Sequence, residues 1–319
     1  RGDKRMLNSL VLAAADVDDA VLNFDEGSLL LLNILIGLMM FGMALGVDPD
    51  DFRALTRTPK PAGIGLGAQF ILLPFATFLI TLALDLPASI ELGMLLVASC
   101  PGGNFSNIMT YLGRGNAPLS VGMTAVSTAF AVFMTPLNFS IWGRLNPETE
   151  PILRSVSLEP IDLFLTIVLI LGIPMILGLS LAHAKPAIAA KLEKPAKIFS
   201  VVVFVAFVAF ALLGNWDNFI TYIGSLVVIV AIHNAVAFLL GYLSARVAGL
   251  ENRDRRAVTF EVGLQNSALA LVLVFNFFDG LGGMALIAAW WGVWHIVAGL
   301  TLAGAWARQP VEAEAEAAA

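Results

Sequence analysis

The amino-acid sequence predicts an all-α integral membrane protein. Three observations carry that expectation. First, 58% of the 319 residues are hydrophobic and 13% are charged, with a mean hydropathy of +0.85; a soluble domain carries about 25% charged residues. Second, the apolar residues fall into runs of about 20, the length that crosses about 30 Å of hydrocarbon. Third, the connections between runs are short, which describes one helical bundle and leaves no room for an appended soluble domain.

Nine runs qualify: 28–47, 61–84, 88–112, 117–142, 161–182, 197–213, 219–247, 256–278 and 280–306. Each is expected to be a helix, because lipid offers no partner for an unpaired backbone N–H or C=O. Together they make residues 28–306 one transmembrane unit. Residues 1–27 precede it. Their stretch "VLAAADVDDAVLNF" (11–24) is broken by three aspartates and reads as an exposed or interfacial arm, with no secretory leader. Residues 307–319 end in the low-complexity "EAEAEAAA" and read as a tail. The acid surplus, 24 against 18, lies largely in these ends, and nothing in it points to nucleic acid.

Nine spans place the termini on opposite faces. With the N-terminus outside, the cytoplasmic side receives Arg53, Arg57, Lys60, Arg114, Lys185, Lys191, Lys194, Lys197, Arg246, Arg253, Arg255, Arg256 and Arg308. The outer side holds Arg1, Lys4, Arg5, Arg144 and Arg154. Lys and Arg concentrate on cytoplasmic connections, so the expected topology is N-outside and C-cytoplasmic in the plasma (inner) membrane.

Two spans are interrupted. The third contains "SCPGGNFSNIMTY" (99–111), where Pro101 removes a donor and Gly102 and Gly103 loosen the backbone. The eighth contains "TFEVGLQNSALA" (259–270), with Gly263 between Glu261 and Gln265. Freed backbone at membrane depth is tolerated only inside protein or along a cavity. Paired interruptions in corresponding positions of two halves mark the binding site of a secondary transporter. The interrupted span is second from the end in each half, and the first half is one span shorter. That is the pattern of an inverted repeat lacking its first helix.

Glu261 sharpens the point. An unpaired charge at the bilayer centre costs about 2.5–3.5 kcal/mol even on insertion scales, and Lys and Arg enter the spans only at their ends, as Lys197, Arg246 and Arg256 do. A proton or a bound cation is left to compensate. Neutral oxygens are at hand: Ser106 and Asn107 beside the first break, Gln69 in the second span, Gln265 one turn beyond Glu261 if the helix holds there, and Ser120, Thr124 and Thr128 on one face of the fourth span. One carboxylate among neutral oxygens suits a monovalent ion better than Ca²⁺ or Mg²⁺. The small hydroxyl residues equally serve helix packing.

The motifs "PGGNFSN" (101–107), "LSVGMTAVST" (119–128), "EVGLQNS" (261–267) and "VWHIVAG" (293–299) resemble the bile acid:sodium symporter family over residues 28–306. The resemblance implies two crossed interrupted helices in a core (61–142 and 219–306) that faces a panel (28–47 and 161–213). It implies two sodium ions and no organic cofactor. One site would use Ser106, Asn107, Ser120, Thr124 and Glu261. The other would use Gln69, Glu261, Gln265 and the carbonyls of Val262 and Leu264. Asn104, Asn266 and His295 match positions near the cargo, and amides after Gly103 and Gly263 would face an anion. The implied function is sodium-coupled symport of an amphipathic organic anion, by alternating access and with no obligatory protein partner. Asn104 stands where many bacterial members carry Thr, and the nine spans resemble the animal transporters.

Rival readings rest on single residues. Cys100 beside the first break resembles the thiol of arsenite carriers, so a proton-coupled or metalloid exporter on the same scaffold is the alternative; a small buried hydrophobe is the plainer reading. His295 reads either as a hydrogen-bonded bundle histidine or as a cargo contact, and His233 as bonded to Asn234 or a carbonyl. The three histidines lack metal spacing. No nucleophile–base pair points to an enzyme. The acceptor patterns at Asn104 and Asn138 lie in spans and are expected to stay unmodified.

Overall fold

The first interrupted span folds as two helices, Ala88–Ser99 (α3) and Phe105–Leu112 (α4), and the second as Asn252–Gly263 (α10) and Ser267–Phe277 (α11). A computed structural model describes residues 26–46, 55, 59–84, 86–155, 161, 164–165, 168–214 and 216–309. The other helices are Glu26–Leu45 (α1), Pro59–Leu84 (α2), Ala117–Leu145 (α5), Glu150–Ser155 (α6), Val168–Ala184 (α7), Pro186–Gly214 (α8), Trp216–Val247 (α9) and Gly282–Ala307 (α12). Among the described residues four stretches are long and apolar enough to cross a bilayer: α2, α5, Leu226–Val247 of α9, and α12. Most of the expected arm and tail, and Arg53 and Arg57, fall outside the described residues.

Two groups of helices emerge from the packing. In the first, α1 lies on α7 and α8 through small residues. A Cβ built on Gly42 would stand 2.8 Å from the Cβ of Ala196, and one on Gly178 2.6 Å from that of Ala44. Side chains absent at these points let the backbones close up, which is how helices associate where water drives nothing. In the second, α9 lies along α10, α3 along α5 and α12, and α4 against α5, α10 and α12. The largest buried cluster runs through α3, α11 and α12, where Leu95, Leu96, Val272, Leu273 and Ile287 are fully enclosed. The groups meet where α7 touches α5, α8 touches α9 and α1 touches α11; at the last, the carboxamides of Asn33 and Asn276 exchange hydrogen bonds of 3.0 and 2.9 Å.

Two departures from regular helix were not foreseen. Within α2, Ala68–Leu72 forms a π-turn. Pro74 is its cause: it offers no N–H to the carbonyl of Phe70 four residues back, and its ring crowds that carbonyl. Asn138 of α5 supplies the missing donor, from Nδ2 at 3.0 Å. In α7 the π-turn Val168–Gly172 likewise precedes a proline, Pro174. The expected connection carrying Lys185, Lys191, Lys194 and Lys197 also needs correcting. From Pro186 onward it is the start of α8, because Ala, Lys, Leu and Glu are strong helix formers. At 29 residues α8 is about 43 Å long, more than the about 30 Å of hydrocarbon that a span must cross.

Candidate ion and cargo site

The two breaks lie against each other. Gly102 and Gln265 form an antiparallel bridge: the amide of Gly103 donates to Leu264 O (2.6 Å) and that of Asn266 to Pro101 O (2.9 Å). Side chains serve the other freed carbonyls. Thr135 donates to Ser99 O (2.8 Å), Gln69 Nε2 to Cys100 O (2.8 Å), Gln265 Nε2 to Val262 O (2.6 Å) and Asn234 Nδ2 to Gly263 O (2.7 Å). Buried backbone left without partners is the obstacle to breaking a helix in lipid, and here the two breaks and their neighbours supply partners to these carbonyls. The expectation that Gln265 sits one turn after Glu261 is corrected: α10 ends at Gly263, and residues 264–266 are extended or irregular.

Glu261 is fully buried. Its carboxylate accepts from Ser106 (2.8 Å), Thr124 (2.8 Å) and Ser127 (3.2 Å), and no basic side chain pairs with it among the described residues. Asn107 Oδ1 joins the group, accepting from Ser120 (2.9 Å) and Thr124 (3.1 Å), while Thr110 donates to Ser120 (3.2 Å). All five residues expected at the first site are therefore connected through hydrogen bonds. Thr124 has one hydroxyl proton and three acceptors within 3.1 Å: Glu261 Oε2, Asn107 Oδ1 and the carbonyl of Ser120. The cluster has more oxygen lone pairs than protons to share among them.

Ser127 takes the place expected for Thr128, whose hydroxyl instead turns back to its own helix at Thr124 O (2.7 Å). Seven residues bring a helix to within about 20° of the starting face, whereas eight overshoot by about 80°. The signal was present in the i, i+4, i+7 spacing from Ser120 and was misread as a strict four-residue repeat.

The residues expected at the second site form an adjoining group. Gln69 and Gln265 pair amide to amide, at 2.6 and 3.1 Å, and the π-turn carries Gln69. Gly102 separates this pair from the first cluster, and a Cβ on it would collide with the Glu261 carboxylate.

Of the residues expected near cargo, Asn104 precedes α4, half-buried and without a hydrogen bond to a described residue. Asn266 caps α11, its Oδ1 accepting from Leu269 N at 3.1 Å. His295 is 3% exposed, neither ring nitrogen has a partner among the described residues, and the ring lies 6.0 Å from that of Phe105. The hydrogen-bonded reading of His295 is thus corrected. So is that of His233, whose Nε2 meets Thr77 Oγ1 at 2.8 Å. Of the amides after the two glycines, that of Ser106 donates to Gly103 O (2.9 Å) and that of Asn266 is spent on the bridge. Cys100 packs within the apolar core.

Comparison with known proteins gives this site a context. The model of the sodium bile acid symporter family matches residues 33–222. The chain belongs to the sodium bile acid symporter family. Membership makes it a sodium-dependent membrane transporter with several spans, in a family of transporters rather than enzymes. The family member from Bacillus subtilis named uncharacterized sodium-dependent transporter YocS is 35% identical over 295 residues, 91% of this chain and 88% of that protein. The probable sodium/metabolite cotransporter BASS1, chloroplastic, of Oryza sativa subsp. japonica is 34% identical over 276 residues, 86% of this chain and 65% of that protein. The human ileal sodium/bile acid cotransporter is 31% identical over 245 residues, 76% of this chain and 68% of that protein.

Proposed function

We propose that this chain is a secondary active symporter that couples two sodium ions to an amphipathic organic anion, bile-acid-like or another carboxylate or sulfonate. The observation that carries this reading is the oversubscribed hydroxyl of Thr124 beside a fully buried carboxylate. A cation satisfies acceptors that one proton cannot, and it balances a charge that no described basic residue meets. One carboxylate among hydroxyl and carboxamide oxygens is the donor set of a hard monovalent ion. The first ion is assigned to Ser106, Asn107, Ser120, Thr124 and Glu261, with Ser127 added. The second is assigned to Gln69, Gln265, Glu261 and the carbonyls of Val262 and Leu264. The anion is assigned to the crossing near Asn104, Asn266 and His295, whose unpartnered nitrogens are buried donors or acceptors awaiting a polar group.

The nine-span arrangement, with the N-terminus outside in the plasma membrane, belongs to the same reading. The group of α1, α7 and α8 acts as the panel and the remainder as the core, and cargo gains alternating access as one moves against the other.

The test uses the purified full chain. Thermal midpoints are compared in NaCl and KCl at equal ionic strength, and radiolabelled taurocholate uptake into proteoliposomes is measured under both. Sodium at a hundred times its dissociation constant stabilises by about 2.7 kcal/mol per site. Sodium is expected to raise the midpoint and drive uptake, and Glu261→Gln to abolish both effects. Equal midpoints in the two salts would refute the sodium sites.

A further inference from the structure

We propose that Asn234 is a positioning residue: by donating from Nδ2 to the carbonyl of Gly263, it holds the α10 break in the orientation in which Val262 and Leu264 present their carbonyls to the second sodium ion. The inference rests on the sodium reading above and adds a residue on α9 that lies outside both expected ligand sets.

Gly263 is the last residue of α10, so its carbonyl is one of the helix's final four, which have no partner in their own helix. Glycine is also the residue whose backbone is least restrained. Left alone, the peptide between residues 263 and 264 could swing and carry the flanking carbonyls with it. Two residues one turn apart on α9 prevent this. Asn234 grips the carbonyl at 2.7 Å, and the ring of Phe238 fills the space that a Cβ at position 263 would occupy.

A second observation argues that Asn234 does more than fill space. It is 1% exposed, yet its Oδ1 has no donor among the described residues. A buried acceptor left unpaired is costly, and an apolar side chain would avoid that cost. Retaining the carboxamide makes physical sense for the sake of its amide. The neighbouring His233 provides an internal comparison: it is equally buried on the same helix, but its Nε2 partner is Thr77, away from the break.

The probe is sodium alone. Purified full-length variants are titrated with NaCl against KCl at constant ionic strength, and the half-saturation of sodium-dependent stabilisation is read, with the midpoint in KCl recording intrinsic stability. Asn234→Leu is close in volume and has no donor; Asn234→Ala removes the carboxamide outright. Both are expected to raise the half-saturation about tenfold, equivalent to about 1.4 kcal/mol in binding. Asn234→Gln, which retains an amide, is expected to lie nearer the parent. Thr77→Val removes a comparable buried polar contact to α9 and is expected to lower the KCl midpoint while leaving the sodium half-saturation in place. Unchanged half-saturation in Asn234→Leu overturns the inference, and so does an equal shift in Thr77→Val, since loosening α9 would then suffice. A parent protein that ignores sodium would instead overturn the sodium sites themselves, and this assignment with them.

Discussion

A single methyl group at position 102 would land on the carboxylate of Glu261. Gly102→Ala is therefore expected to displace the acid and abolish sodium-dependent stabilisation in the NaCl/KCl comparison, although it alters no ligand. Ser127 is tested by contrast with its neighbour. Ser127→Ala removes one of three donors to Glu261, and at about 0.5–1.5 kcal/mol per hydrogen bond the sodium half-saturation should rise about two- to tenfold. Thr128→Val should leave it unchanged, because that hydroxyl bonds only within its own helix. At this scale the sequence was informative where chemistry is rare. A buried acid without a base announced itself, as did the asparagine and hydroxyls beside the breaks. Which of two adjacent hydroxyl residues faces the acid was legible too, in the i, i+4, i+7 spacing from Ser120, since neighbours on a helix are about 100° apart.

Helices were legible wherever length and hydropathy suffice; the first break was legible because proline and paired glycines cannot continue a helix, and the second because Gly263 stands between two polar residues in an apolar run. The π-turn in α2 was not. Its cause, Pro74, is local, but its partner, Asn138, lies 68 residues from Phe70, and no local pattern shows that a distant amide will serve a carbonyl that a proline has released. The pairing makes a prediction. Asn138→Leu leaves Phe70 O buried without a donor and should cost about 1–3 kcal/mol, seen as a lower thermal midpoint. Pro74→Ala restores an N–H within reach of that carbonyl, so the double variant should lose less than Asn138→Leu alone. The basic start of α8 was misread as a connection because charge was weighed above helix propensity, whereas a long lysine-bearing helix can keep its charged end beyond the hydrocarbon.

For the molecule as a whole, the contact of Asn33 with Asn276 joins the two groups of helices assigned to panel and core. If these groups move against each other, this pair must part. Replacing both residues with cysteine and bridging them with a short thiol-reactive cross-linker should arrest taurocholate uptake, and cleaving the linker should restore it; continued uptake in the bridged protein would show that the groups stay together during transport. Cys100, the only native thiol, is buried and leaves the readout clean. No sequence pattern pointed to this contact, since the two asparagines are 243 positions apart and each sits singly in an apolar stretch.

The mutual bonding of the two breaks has a bearing on the return half of the cycle. Seven of their carbonyls, those of Ser99, Cys100, Pro101, Gly103, Val262, Gly263 and Leu264, draw on amides and hydroxyls of the chain itself. The crossing is thus knit by groups of the chain itself. In the alternating-access reading proposed above, it can travel as one piece without baring those peptide groups to lipid.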